Sequence, residues 1–167
     1  SDGVHFKNSL IHSSVTNNAG VASGTISSSV TGQNRPYFFC SEYSTNQTGI
    51  TSDTELTAWT EGTNGDPDSK FDTSTGRFTP GVAGIYLFGA RIFLEAAGSS
   101  FARCIIRVNN GSNSDVYGEL QGSGQTIQLT RTEYLSGTGY ASVLARSHTN
   151  SNTLRGSQCH FWGIRLA

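Results

Sequence analysis

An all-β sandwich is the fold class this sequence predicts, on three observations. Short apolar runs alternate with turn-forming clusters throughout residues 36–167, the pattern of strands and tight connections. No window of about eleven residues carries convincing helical periodicity, while β-branched residues are plentiful. The strongest segment, Gly84–Ala96, alternates with a period of two along its length.

Each element follows in order. Residues 1–35 hold few large apolar groups and many small polar ones, and only GVHFKNSLIH offers strand-like material. Such a stretch cannot bury enough surface to fold alone, so it is expected to be a connector, or a shaft ordered by neighbouring chains. The compact domain is expected to start near Pro36. PYFFCSEY at 36–43 is a first strand and 54–59 a weaker one. EGTNGDPDSK then forms a polar loop with its Asn-Gly and Asp-Pro pairs. In FDTSTGRFTPGVAGIYLF at 71–88, Gly76 permits a tight turn, Phe78 returns an aromatic to the core and Pro80 ends that short strand. Gly81 and Gly84 let the chain reverse into the long strand. There, Tyr86, Phe88, Ala90, Ile92 and Leu94 are expected to face the core. Ile85, Leu87, Gly89, Arg91, Phe93 and Glu95 take the other face. Further strands are expected at 101–108, 116–120, 126–135, 140–146 and 159–166, divided by NNGSNSD, QGSGQ, SGTG and HTNSNTLRGS.

Composition narrows the function classes. The 167 residues suffice for one domain with a real core. Eleven basic and twelve acidic residues give a net charge of -1, which argues against a nucleic-acid binder relying on a uniform positive field. No apolar run approaches the length that crosses a membrane, so insertion is not expected. Charged residues are 14%, well under the ordinary share of about a quarter. Serine, threonine, asparagine and glycine replace them, giving a hydrogen-bonding surface of the kind common in extracellular and viral β proteins. Ser1 opens no signal-peptide pattern, so any export signal is expected to be absent or already removed.

Residues able to do chemistry are scattered. His5, His12, His148 and His160 lie outside HExxH spacing, and the GxSxG, GxGxxG and GxxxxGK[ST] patterns are missing. No enzyme is expected, and Cys104 in RCIIRV reads as a structural thiol. The three cysteines leave at least one unpaired within the chain. A Cys40–Cys159 bridge is one reading, because sandwiches often bring terminal strands together; buried free thiols are the other.

The residues at 71–88 also resemble the signature of C1q-like globular domains: an acidic turn, Gly-x-Phe-Thr-Pro, then Gly-x-Tyr-x-Phe. FWGIRL at 161–166 resembles the Phe-x-Gly-x-x-Leu close of that family, and RVNNG at 107–111 sits where a strand-end Asn-Gly turn belongs. The resemblance spans roughly 36–167. It implies a ten-stranded C1q/TNF-like jelly roll with an N-terminal extension, assembled as a homotrimer. No collagenous Gly-X-Y repeat occurs in residues 1–35, and the polar composition looks more like C1q-like tips on bacteriophage fibres or other virion appendages. That resemblance implies a virion-surface domain, joined to other virion proteins through its N-terminal segment, whose trimeric end touches a host-cell glycan or surface protein. The alternatives are a structural virion component, such as a capsid decoration or fibre knob, and a secreted extracellular C1q-like ligand or lectin.

Site residues follow from both lines. A half-solvated strand needs only one apolar face, yet Leu87 and Phe93 lie opposite the Tyr86–Leu94 set. The second face needs a cover, an overlying loop from the first 35 residues or another subunit. Family geometry favours the subunit and would place Leu87, Phe93, Arg91 and Glu95 between chains, the last two able to pair. Asp66, Asp68 and Asp72, with Asp53 and Glu55 upstream, form an acidic loop that is either solvated or holds calcium; no other cofactor is expected. Receptor contact is expected from exposed aromatics and polar groups, with Tyr117, Tyr140 and Arg146 the chosen candidates and Tyr134 and Trp59 beside them. Arg103, Arg107, Arg131 and Arg146 would form a polar stripe on one outer face. Asn46 and Asn110 stand in Asn-x-Ser/Thr sequons, which matter only in a eukaryotic secretory pathway.

Overall fold

The computed structural model describes residues 36–50, 52–95, 101–109, 116–121, 124–147 and 153–167, within a compact unit that spans Pro36–Ala167. The connector or shaft expected over 1–35 lies outside the described residues. Thirteen strand segments occur among the described residues: β1 (Tyr37–Tyr43), β2 (Gln47–Thr48), β3 (Thr54–Glu55), β4 (Trp59–Glu61), β5 (Phe71–Asp72), β6 (Arg77–Phe78), β7 (Gly84–Glu95), β8 (Phe101–Val108), β9 (Val116–Gln121), β10 (Gln125–Leu135), β11 (Ala141–Ser147), β12 (Thr153–Leu154) and β13 (His160–Arg165). One 3-10 turn, Gly156–Gln158, is the helical content among them. The surplus over ten strands comes from two-residue segments such as β2 and β12, which the polar sequence around them hid.

These strands form two antiparallel sheets, the all-β sandwich the sequence predicts. In the front sheet β7 is central. It pairs with β10 on one side and with β13 and β12 on the other; β13 then pairs with β1, β1 with β4, and β12 with β2. In the back sheet the order is β5-β6-β11-β8-β9, with β3 also on β11.

The alternation read along β7 is the alternation observed. Tyr86, Phe88, Ala90, Ile92 and Leu94 are each at most 2% exposed and belong to the core. Phe38 from β1 and Phe161 from β13 meet them from neighbouring strands, and Phe71 and Phe78 come across from the back sheet. Phe38 alone stacks on Phe71 at 4.9 Å and Phe78 at 4.5 Å and meets Phe161 edge-on at 4.7 Å. Offset and edge-to-face pairs of this kind add about 0.5–1.5 kcal/mol each beyond the area they bury. Gly163 makes room for the cluster, since a Cβ there would stand 2.6 Å from the rings of Phe38 and Phe88.

The β5–β6 connection is the tight turn its residues demand. Asp72 accepts hydrogen bonds on its carboxylate from the Ser74 amide at 2.9 Å and the Ser74 hydroxyl at 2.6 Å. Gly76 closes the turn with φ of 69°, a conformation that favours glycine, and its N–H donates to the Asp72 carbonyl at 2.7 Å. Phe78 is then delivered fully buried to the core.

Candidate interaction surface

The outer face of the front sheet can be laid out from its registers. One row across it reads Tyr37, Ile164, Leu87 and Thr132 on β1, β13, β7 and β10. The next reads Phe39, Trp162, Gly89 and Thr130. A third reads His160, Arg91 and Gln128, and beyond it Phe93 stands opposite Thr126. At the other end Ile85 stands opposite Tyr134, and the Leu166 amide donates to the Ile85 carbonyl.

This face is unusually apolar. Tyr37, Phe39, Ile85, Tyr134, Ile164 and Leu166 are between 38% and 62% exposed. With a large side chain offering roughly 200 Å², the six together expose on the order of 500 Å². That is at the upper end of the roughly 300–600 Å² covered by the largest apolar patch on a typical monomer, a feature that is often functional. Leu87, Phe93 and Trp162 are half-buried within the same patch. Two grooves open there. One, of about 360 Å³, lies over Tyr37, Phe39, Trp162 and Ile164. The other, of about 300 Å³, lies between Phe39, Trp162 and His160 on one side and Gln128 and Thr130 on the other, with Arg91 at its polar end. Gly89 lets Trp162 lie down on the sheet: a Cβ at that position would stand 2.2 Å from the indole.

The strand order and two-sheet packing decide the architecture. The fold is the C1q/TNF-like jelly roll. The Eiger TNF structure from S. frugiperda superposes with a TM-score of 0.55 at 12% identity, covering 79% of this chain and 94% of that one. Murine APRIL at pH 5.0 gives a TM-score of 0.59 at 11% identity, covering 79% of this chain and 99% of that one. The globular domain of zebrafish complement 1qA gives 0.53 at 16%, with 80% and 97% covered. No protein-family model and no curated protein sequence matches this chain. At these identities the likeness establishes the jelly roll and nothing finer.

Within the C1q/TNF-like frame, the expected site residues fall in different places. Leu87, Arg91, Phe93 and Glu95 do share the outer face of β7, and within the chain Glu95 forms an ion pair with Arg155. Asp66, Asp68 and Asp72 do not converge. Asp66 is buried and its Oδ2 accepts from the Phe71 amide at 2.6 Å, whereas exposed Asp72 serves the β5–β6 turn. Among the described residues no group of three or more His, Cys, Asp or Glu side chains is placed to share a metal ion.

Of the receptor candidates, Tyr117, Tyr140 and Arg146 lie on or beside the back sheet, whereas Tyr134 belongs to the apolar front face and Trp59, on β4, is buried. Tyr140 just precedes β11 and carries the Arg77 guanidinium over its ring at 4.3 Å. Arg146 stands about 20 Å further along at 3.3 Å per residue, beside Asp53 at 3.9 Å. The two cannot line one pocket. The side chain of Tyr117, on β9, lies outside the described residues. Arg131 is not part of an outer stripe. It points into the sandwich, 5% exposed, and donates to the Ile106 carbonyl at 2.9 Å and to Glu133 at 2.7 Å.

Cys159 is a buried free thiol that donates to the Arg155 carbonyl at 3.1 Å and accepts from the Phe93 amide, so it forms no bridge to Cys40. Burial pushes its pKa up to about 11, and burial likewise raises that of Cys104, also free. The residues passed over in the sequence were Tyr37, Phe39, Trp162 and Ile164. Their signal was there: PYFFCSEY and HFWGIRL carry large apolar groups at successive positions, so both faces of each strand are apolar.

Proposed function

We propose that this chain is a non-enzymatic recognition domain that works as a homotrimer, secreted or displayed outside the cell as a ligand or lectin. The apolar outer face of the front sheet carries the reading. A patch of this size is costly to leave in water, and a second copy can cover the area contributed by β1, β13 and β7 at once. Similarity of fold to a TNF and to a complement 1qA globular domain is in keeping with a ligand module. A virion-surface attachment domain is the second reading, favoured by the low charge content and the abundance of serine, threonine, asparagine and glycine.

Solution mass tests assembly directly. Light scattering should give about three times 17.8 kDa. Phe93→Glu, which would bury an unpaired carboxylate at a cost of several kcal/mol, should split the oligomer while the far-UV spectrum stays β-type. A wild-type monomer, or an unchanged mass in the variant, would remove Phe93 and its face from the interface.

A further inference from the structure

The middle row of the outer face is chemically out of place. Arg91 stands at the centre of the sheet, half-buried, and forms no ion pair or side-chain hydrogen bond among the described residues. Its cross-strand neighbours are His160 and Gln128, and the His160 Nδ1 is buried without a hydrogen-bond partner. Glu95 shares the outer side of β7 but lies four residues on, roughly 13 Å along an extended strand, and is held by Arg155. Glu133 faces inward and is held by Arg131. A guanidinium and a primary amide therefore line one groove beside an imidazole with an unpartnered nitrogen, and among the described residues no carboxylate is paired with them.

We propose that this groove is a binding site for an oxyanion group, a phosphate or a carboxylate. Arg91 offers its planar fork of donors, which fits two oxygens of such a group at once. Gln128 supplies further N–H donors from the neighbouring strand, the His160 ring borders the groove on the other side, and the indole of Trp162 and the ring of Phe39 wall its apolar part. The volume of about 300 Å³ takes an ion or a single acidic sugar ring. The inference rests on the proposed copy-to-copy face in one respect. If that face is closed by a second copy, the Arg91 charge leaves water, and a bound anion offsets the cost of an unpaired buried cation. Anion binding should then favour assembly.

Calorimetry on the whole chain with inorganic phosphate and, separately, with glucuronate tests the site, at constant ionic strength in chloride. Saturable binding of either is expected, with affinity at least tenfold weaker in Arg91→Gln and partly retained in Arg91→Lys. Phosphate alone identifies an inorganic or phosphoryl ligand, glucuronate alone an acidic sugar. Trp162 lies beside the site and Trp59 is buried, so a fluorescence change on titration should report this groove. Light scattering on the same samples separates the two ideas. A trimer that binds neither probe, or a variant that binds as well as wild type, overturns the oxyanion site and leaves the assembly standing. A monomer that binds keeps the site and overturns its enclosure between copies.

Discussion

The two outer faces of this sandwich solve the same problem in opposite ways. On the back sheet, Ile105 and Leu144 lie on neighbouring strands with their side chains directed away from the main aromatic cluster, yet they are 3% and 1% exposed. Their surroundings are polar and paired: Arg77 makes a two-pronged contact with Glu55 at 2.8 and 3.0 Å and stacks on Tyr140. That face is closed within its own chain. On the front sheet, Tyr37, Phe39 and Ile164 are more than a third exposed, and Arg91 in the same groove forms no ion pair among the described residues. A sheet can bury its second face with its own chain or leave it for another molecule, and this protein does one on each side.

The sharpest way to break that comparison uses two neighbours on β1. Phe38 and Phe39 are the same residue type one position apart, directed to opposite faces by the pleat. Phe38 is 1% exposed and in contact with four aromatic rings, so Phe38→Ala should cost about 3–5 kcal/mol in denaturant unfolding. Phe39, 45% exposed, should cost the isolated domain little when replaced by Ala, and should instead lower the solution mass at equal concentration. Similar stability losses for the two variants, with mass unchanged, would erase the distinction between core and interface on this strand.

A smaller effect is expected at Gly89, where the front face depends on the absence of a side chain. Gly89→Ala would drive a methyl into the Trp162 indole and lift the ring from the sheet. Overpacking of this kind costs about 1–3 kcal/mol. Trp162 emission should shift to the red while that of Trp59, 3% exposed and donating to the Leu56 carbonyl at 2.7 Å, stays put. An unshifted spectrum would mean that the indole is not held by Gly89.

How much of this was legible in the sequence depends on whether the signal was local. The β7 faces, the Gly76 turn and the delivery of Phe78 to the core followed from period-two alternation and turn chemistry, both of which act within a few residues. The burial of Arg131 did not. Its place in the alternation Ile127, Leu129, Arg131, Glu133 puts it inside, but a guanidinium is tolerated there because Glu133 and the Ile106 carbonyl, the latter on another strand, accept from it. The same holds for the acidic loop. Nearness in sequence left a solvated loop and a shared ion both open, and it did not show that Asp66 folds back on the Phe71 amide while Asp72 turns to its own hairpin. The aromatic outer face was readable in principle from PYFFCSEY and HFWGIRL. Reading it needed the pairing of the first and last strands, a contact between residues more than a hundred positions apart.

The smallest effect sharpens the comparison from the back sheet, whose closure includes the Glu55–Arg77 pair. Burial raises the Glu55 pKa, but the hydrogen bonds from Arg77 and the charges of Arg77 and Arg107 outweigh it, so the folded carboxyl sits below the usual glutamate range. A carboxylate depressed on folding stabilises the native state above its unfolded pKa of about 4.3, and that contribution is lost as pH falls through the folded value. Both partners are partly exposed, at 36% and 27%, so solvent screening limits the contribution to about 0.5–1 kcal/mol. Denaturant unfolding of wild type and Glu55→Gln should differ by that amount at pH 7 and converge near about pH 3. The solution mass should be the same for both proteins at pH 7, because this pair belongs to the face that the chain closes by itself. A change in mass with Glu55→Gln would place part of the intersubunit contact on the back sheet and reverse the assignment of the two faces.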